Sequence, residues 1–582
     1  MIMKLRLVAS LLAPALLAAC AAPADLATAP PPPASAAEQA PEQIGHAGGM
    51  VSAADRRAAD AGARILREGG NAVDAGFAVL LALNVVEPQS SGIGGGGFLV
   101  LDPGDGQPVT YDGRETAPAS ATPDRFMKDG QPMSFVEAWV GGLSTGVPGN
   151  VAMMAMAHEK HGKLPWAQIF QPAIELARDG FDVTPRLHNT LAAADRTGAL
   201  SAEARALFYP GGQAAPIGST IRNPAFAATL ERIAAGGPQA FYTGENAADI
   251  AGAVQTAPAN PGDLTVHDLA SYRPVERDAV CGTYRVYRIC GMGPPSSGAT
   301  TVFAILKQLE RFDMAAHGPG DPVGWHLFAE SQRLAYADRE QYLADPDYVQ
   351  VPVKGLTDPD YLARRSALID MGSTMASASA GTPEGVSLAF APQAEQPEHG
   401  TSHFVVTDRD GIIVSETSTI EAAFGSGIFV NGFYLNNELT DFSRSPSEDG
   451  QPVANRVEAG KRPRSSMSPT IVYGPDGKPR LAVGAAGGTT IIVQVAKAII
   501  GVVDWGLTAQ QAIALPFLYS PGDTLLVEEG TDLEAMLPAF RALGHEDART
   551  MPGRLKANAV EWVDGQAIGA ADPRSEGAMV TP

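Results

Sequence analysis

The chain has 582 residues, longer than one ordinary core, and length alone suggests about three or four domains. Its hydrophobic fraction of 45% is that of a soluble globular protein. A net charge of −22 argues against a nucleic-acid partner and for an acidic surface.

The first twenty residues read as a targeting segment rather than as fold. Lys4 and Arg6 precede a short apolar run, Leu7 to Leu17, and Leu17-Ala18-Ala19-Cys20 ends it with small residues before a cysteine. This ending resembles a bacterial lipobox, which predicts cleavage before Cys20 and lipidation of its sulfur; the alternative is a plain secretory signal cut near Ala22. Either way an exported protein is expected, periplasmic or held at the outer membrane, with the lipid as its only membrane anchor. Residues 21–44, rich in Ala and Pro, read as a disordered tether.

Val51 to Glu68 reads as a helix ending at Gly69-Gly70, and Asn71 caps a second, almost wholly apolar helix from Ala72 to about Val86. Ser91-Gly92-Ile93-Gly94-Gly95-Gly96-Gly97 contains G-x-G-x-x-G, but it follows a helix and precedes the strand Phe98–Leu101. A dinucleotide site needs the reverse order, so that reading is rejected. Arg114 lies among turn residues after Tyr111-Asp112-Gly113; an arginine there can grip a carboxylate by two parallel hydrogen bonds, but on these residues alone a solvated loop charge is the better reading.

Gly142-Leu143-Ser144-Thr145-Gly146 matches the G-x-S-x-G nucleophile elbow, between the Phe135–Val140 run and a helix predicted over Val151–His158. Val147–Asn150 separates Ser144 from that helix, where an elbow serine sits at its start. His158-Glu159-Lys160-His161 falls one residue short of H-E-x-x-H and reads as an exposed helix end. Cys281 and Cys290 lie nine apart in an alternating segment. A disulfide and two separate small residues are both compatible with that spacing, and no cysteine spacing suggests a metal. Between Leu164 and Phe390 the chain reads mostly helical, with Arg333–Tyr342 an amphipathic helix carrying its charges outward. Residues 373–399 are loose and polar.

His399 to Ser443 holds the densest signal. Thr401 follows Gly400 and opens an alternating run, Asp408-Arg409-Asp410-Gly411 is a turn, and Ile412-Ile413-Val414 begins a second strand. A threonine becomes a competent nucleophile if it is residue one of a new chain, because its own α-amine is then within reach as the base; on these residues alone, a Gly-Thr junction that simply opens a strand is the more ordinary reading. Further on, Lys461-Arg462-Pro463-Arg464 reads as a solvated basic turn before Ser465-Ser466. Gly487-Gly488, between a strand and the helix Ile491–Val503, offer backbone N–H groups that suit an oxyanion, or else form a simple tight turn.

Together these pieces resemble the gamma-glutamyltranspeptidase (glutathione hydrolase) family of N-terminal-nucleophile hydrolases. The resemblance covers about residues 45–580 and rests on ten motifs in order: GGMVSAADRRAADAGARIL, SSGIGGGGF, YDGRETAP, GPPSSGAT, TSHFVVTD, FGSGI, NNELTDFS, RPRSSMSPT, GAAGGTT and ADPRSEGA. It implies an α+β fold, a four-layer αββα sandwich, made as one precursor and cut between Gly400 and Thr401. The large subunit would be 45–400 and the small one 401–582, intertwined in a single domain.

By the same resemblance Thr401 is the nucleophile, Thr419 its hydrogen-bond partner, and Gly487 and Gly488 the oxyanion donors. Arg114, helped by Ser465 and Ser466, takes the substrate α-carboxylate, while Glu438 and Asp441 take its α-ammonium group. Glu421 stands where many members carry asparagine, adding a negative charge on the ammonium side. Ala486 replaces a common proline, and the Phe442–Gly460 loop is shorter than the lid of long-lid bacterial forms. The implied donors are glutathione or other γ-glutamyl compounds, and the acceptors water, amino acids or dipeptides, with no cofactor and no metal. Two alternatives accompany this reading: a glutaryl amidase like the cephalosporin acylases, and a non-maturing surface binding protein.

Overall fold

The structure, a computed structural model, describes residues 48–386, 390–392, 400–553 and 555–582. Cys20, the targeting segment, the tether and His399 lie outside the described residues. The described residues form one compact unit, so the count suggested by length does not hold.

Two antiparallel sheets carry the architecture. In chain order their strands are β1 (Gly49–Ala53), β2 (Gly96–Asp102), β3 (Val109–Asp112), β4 (Val275–Asp278), β5 (Val280–Tyr284), β6 (Tyr287–Gly291), β7 (Ser402–Asp408) and β8 (Ile413–Thr419). They continue with β9 (Thr470–Tyr473), β10 (Pro479–Ala486), β11 (Lys556–Val563), β12 (Gln566–Ala571) and β13 (Ala578–Val580). The first sheet runs β13-β1-β7-β8-β2-β3-β4 and the second β12-β11-β10-β9-β6-β5. Helices α1 (Arg56–Arg67) and α2 (Ala72–Val86) pack on the first sheet. Helices α3 (Gly298–Leu309), α4 (Pro322–Tyr342) and α5 (Thr490–Val503) belong with the second.

The strand period of two explains why four layers form. Leu99, Leu101, Phe404 and Val406 join the core shared with α1 and α2, whereas Phe98, Val100 and Val405 join the core shared with the second sheet. The central strands are therefore buried on both faces, and the result is the expected αββα sandwich. Among the described residues no helix is long and apolar enough to cross a membrane.

Three local expectations change. Gly49–Ala53 is a strand, and only Arg56–Arg67 of the predicted first helix is helical, with Asp55 as N-cap accepting from the Arg57 N–H. In α4 the charges of Arg333, Asp338 and Arg339 point inward and are buried. The basic run is no solvated turn either: Lys461, Arg462 and Arg464 are buried, and the Lys461 ammonium donates to the Ala454 carbonyl at 2.7 Å and to Glu458 at 2.9 Å. Cys281 and Cys290 face each other across β5 and β6 and are joined as a disulfide.

Candidate active site

The site grows out of one hairpin. In the β7–β8 turn the Asp408 carboxylate accepts from the N–H groups of Asp410 (2.9 Å) and Ile412 (3.1 Å), and its second oxygen accepts from Ala72 N at the start of α2 (2.8 Å). This fixes the register at Ser402 opposite Ser418, which leaves Thr401 and Thr419 side by side at the open end. The glycine run before β2 lets the neighbouring chain pass close to them: a Cβ on Gly95 would lie 2.0 Å from the Thr419 carbonyl oxygen.

The Gly400 carbonyl oxygen is the focus of the hydroxyls. It accepts from Thr401 Oγ1 and, at 2.8 Å, from Thr419 Oγ1, which in turn accepts from Glu421 N. Thr419 thus engages the carbonyl of the peptide bond ahead of Thr401. Glu421 holds a left-handed φ of 74°, a conformation rare for a side chain of its size, and its carboxylate accepts from Asn437 Nδ2. His403, two residues beyond Thr401, is no base: burial pushes its pKa down to about 3, and Nδ1 is bonded to Thr417 Oγ1 at 2.8 Å.

Across the site, Arg114 is buried after the turn that follows β3. Its guanidinium donates to Glu438, to Asp441 and to the carbonyls of Pro463 (3.1 Å) and Arg464 (3.0 Å). Glu438 and Asp441 come from one short 3-10 turn, which sets both carboxylates toward the same arginine. Burial opposes the Arg114 charge, but Glu438 and Asp441 outweigh it and its pKa is raised. Burial also lifts Asp441 to about 7, against the pull of Arg114, and lifts the adjacent Glu115 to about 8.

Arg114, Gly400, Thr401, Thr419, Glu421, Glu438, Asp441, Ser465 and Gly488 line one small cavity of about 10 Å³, room for a single water molecule. Met467 and Ile491 complete its wall. Larger grooves elsewhere, of about 460 and 540 Å³, contain none of these residues. Gly487 and Ser466, next in the chain to lining residues, do not line the small cavity. Among the described residues no acceptor takes the N–H of Gly487 or Gly488. The Ser466 hydroxyl accepts from Arg339 at 2.6 Å, and the Ser465 carbonyl accepts from both N and Oγ of Ser297 at 2.7 Å. Sequence reasoning missed Arg339, which joins the serine pair to the loop before α3 through a 2.9 Å bond to Ser297 Oγ.

The competing motifs assemble nothing. Ser144 is buried, its hydroxyl donating to the carbonyls of Trp139 (2.5 Å) and Gly141 (3.0 Å), and the run before it is a short helix, Phe135–Trp139, where an elbow requires a strand. His158 and His161 are half-buried and turned to different partners, the Leu164 carbonyl and the Tyr111 hydroxyl.

The sequence model of the family described as Gamma-glutamyltranspeptidase matches residues 58–581. The chain belongs to the gamma-glutamyltranspeptidase family. Among relatives of this gamma-glutamyltranspeptidase-family chain, the glutathione hydrolase proenzyme of Escherichia coli (strain K12) is 37% identical, over 98% of this chain and 97% of that one. The glutathione hydrolase proenzyme of Bacillus subtilis (strain 168) is also 37% identical, over 95% and 94%. Among solved structures, a cephalosporin acylase from Bacillus halodurans superposes with a TM-score of 0.83 at 26% identity, covering 95% of this chain and 99% of the other.

Proposed function

We propose that this chain is the precursor of a γ-glutamyl hydrolase and transferase that uses glutathione-like donors after cutting itself between Gly400 and Thr401. The observation that carries the reading is the Gly400 carbonyl oxygen, held by the hydroxyls of Thr401 and Thr419 at the mouth of a cavity lined by Arg114, Glu438 and Asp441. In the first step Thr401 Oγ adds to the Gly400 carbonyl carbon, the C–N bond breaks, and the nitrogen keeps the proton that the hydroxyl gives up. Water then hydrolyses the resulting ester, leaving a Gly400 carboxylate and a free α-amine on Thr401.

In turnover that amine takes the Thr401 hydroxyl proton as Oγ attacks the γ-amide carbon of the donor. The N–H groups of Gly487 and Gly488 receive the oxyanion, the amine leaving group departs with the proton, and water or an acceptor amine resolves the acyl-threonine. Arg114 and Ser465 would hold the donor's α-carboxylate, with Ser466 as support. Glu438, Asp441 and Glu421 would hold its α-ammonium group. A site carrying both charges rejects donors that lack either. Cutting would yield a heterodimer of 45–400 and 401–582. Export as a lipoprotein through Cys20 accompanies the proposal, and intact mass of the mature ends tests it.

Thr401→Ala decides the central claim. It should stay one chain on denaturing electrophoresis and show no turnover of a γ-glutamyl anilide; normal cleavage or residual activity sinks the reading. A glutaryl amidase is the second reading, favoured by the similarity to the cephalosporin acylase. Faster turnover of glutaryl than of γ-glutamyl amides would establish it instead.

A further inference from the structure

Away from the active site, the described residues hold a buried cluster of two imidazoles and a carboxylate. His326 and Glu330 stand four apart on α4, on one face of the helix, and His545 reaches them from the far end of the chain. Their ligand atoms lie within 4.8 Å of one another, and all three side chains are buried. Since 219 residues separate His326 from His545, no local spacing in the sequence announces the cluster.

Hydrogen bonds fix which atoms face inward. His326 Nε2 lies 2.8 Å from the Asp370 carbonyl oxygen, which can only accept, so Nε2 carries the ring proton. Nδ1 is then a lone pair, and it points at His545 Nε2, 2.8 Å away. A carbonyl that orients one imidazole nitrogen so that the other is free to ligate is the usual outer shell of a metal-bound histidine. Glu330 is oriented just as firmly. One oxygen accepts from Arg333 Nη1 (2.8 Å) and Thr374 Oγ1 (2.6 Å), the other from Met375 N (2.7 Å). A carboxylate has about four lone-pair sites, so one remains. Arg333 also pairs with Asp523 at 2.6 Å, so its charge is shared between two carboxylates.

The geometry points to a divalent metal site, with His326 Nδ1, His545 Nε2 and Glu330 as ligands and Zn²⁺ as the ion that best suits two imidazoles and a carboxylate. Tetrahedral bonds of about 2.0–2.1 Å place two nitrogen ligands roughly 3.4 Å apart, so the rings must separate by about half an ångström. On ligation the His545 proton moves from Nε2 to Nδ1, with no net release, and water takes the fourth position. The ion would tie α4 and the Asp370–Met375 segment to the C-terminal region. If the chain is cut at Gly400–Thr401, as proposed above, the same ion would join the two products; binding itself does not depend on the cut.

The test uses full-length wild type and the Thr401→Ala chain, each loaded with Zn²⁺, dialysed and assayed for metal by mass spectrometry. About one zinc per chain is expected in both, with a rise in Tm that a chelator reverses. His326→Gln and His545→Gln should each lose the zinc and the Tm response. Zinc retained equally by both variants, or no stoichiometric zinc in wild type, overturns the site and leaves a hydrogen-bonded cluster. Where a variant fails to fold, Co²⁺ on wild type decides: absence of the visible bands of a tetrahedral cobalt centre is equally fatal. Because the uncut chain must also bind, failure of the metal site and failure of self-cleavage are read separately.

Discussion

Thr419 Oγ1 stands 2.8 Å from the Gly400 carbonyl oxygen, the same atom that accepts from Thr401 Oγ1. A donor so placed stabilises negative charge as the carbonyl becomes tetrahedral, and losing one such donor costs about 10²–10³ in rate. Thr419→Val should therefore slow the appearance of the two cleavage products by that order, while Thr419→Ser keeps most of the rate. The time course of band splitting after refolding measures it; equal rates for Val and Ser variants would remove Thr419 from the step.

The proposed cut calls for Gly400 for a separate reason. Its φ is +92°, and a Cβ there would lie 2.5 Å from the Glu421 carbonyl oxygen. Strain of this kind is worth on the order of 1–3 kcal/mol, and relieving it displaces the carbonyl from both hydroxyls. Gly400→Ala should fold with near-native circular dichroism yet remain uncut for far longer than wild type.

The hairpin was legible because its strands alternate and its turn carries Asp and Gly at positions that need them. The first strand was not: Gly49–Ala53 runs into the helix that Asp55 caps with no turn signal between them, so its small and apolar residues read as part of that helix. Inward charges on α4 misled for a related reason. Beyond Glu330, one turn away on the same helix, Arg333 is satisfied by Thr374 and the Met375 carbonyl, and Arg339 by Ser297 and Ser466, partners that helical periodicity alone does not identify. In the active site Arg114 meets Glu438 and Asp441 across 324 and 327 residues. No spacing rule reaches so far, and only the family resemblance drew those residues together before the fold did. Their mutual pairing was not anticipated; in the role proposed for Arg114, a substrate carboxylate would have to share it with two carboxylates already in place.

Ser144 offers a clean negative control. Its hydroxyl serves the carbonyls of Trp139 and Gly141, and one such bond contributes about 0.5–1.5 kcal/mol. Ser144→Ala should lower stability by that amount and leave γ-glutamyl turnover unchanged. A loss of turnover with Tm preserved would revive the serine as a nucleophile.

Asp441 predicts the pH behaviour of donor binding. Burial raises its carboxyl to about 7, so below that pH it is protonated and offers no charge to an α-ammonium group. As pH rises through about 7 it ionises, and KM for a γ-glutamyl donor should fall across that window. A glutaryl donor, lacking the ammonium group, should show no such fall. Asp441→Asn should flatten the profile and raise KM by about 10- to 150-fold, the equivalent of a charged hydrogen bond worth 1.5–3 kcal/mol. The same shift links to stability. A raised folded pKa means the native state binds the extra proton between the unfolded carboxyl value, about 3.9, and about 7. This contribution is therefore present at low pH and is lost as pH climbs through that range. The Tm of Asp441→Asn should lack that decline. Wild-type and Asn profiles of KM against pH that run parallel would show that Asp441 does not receive the ammonium group.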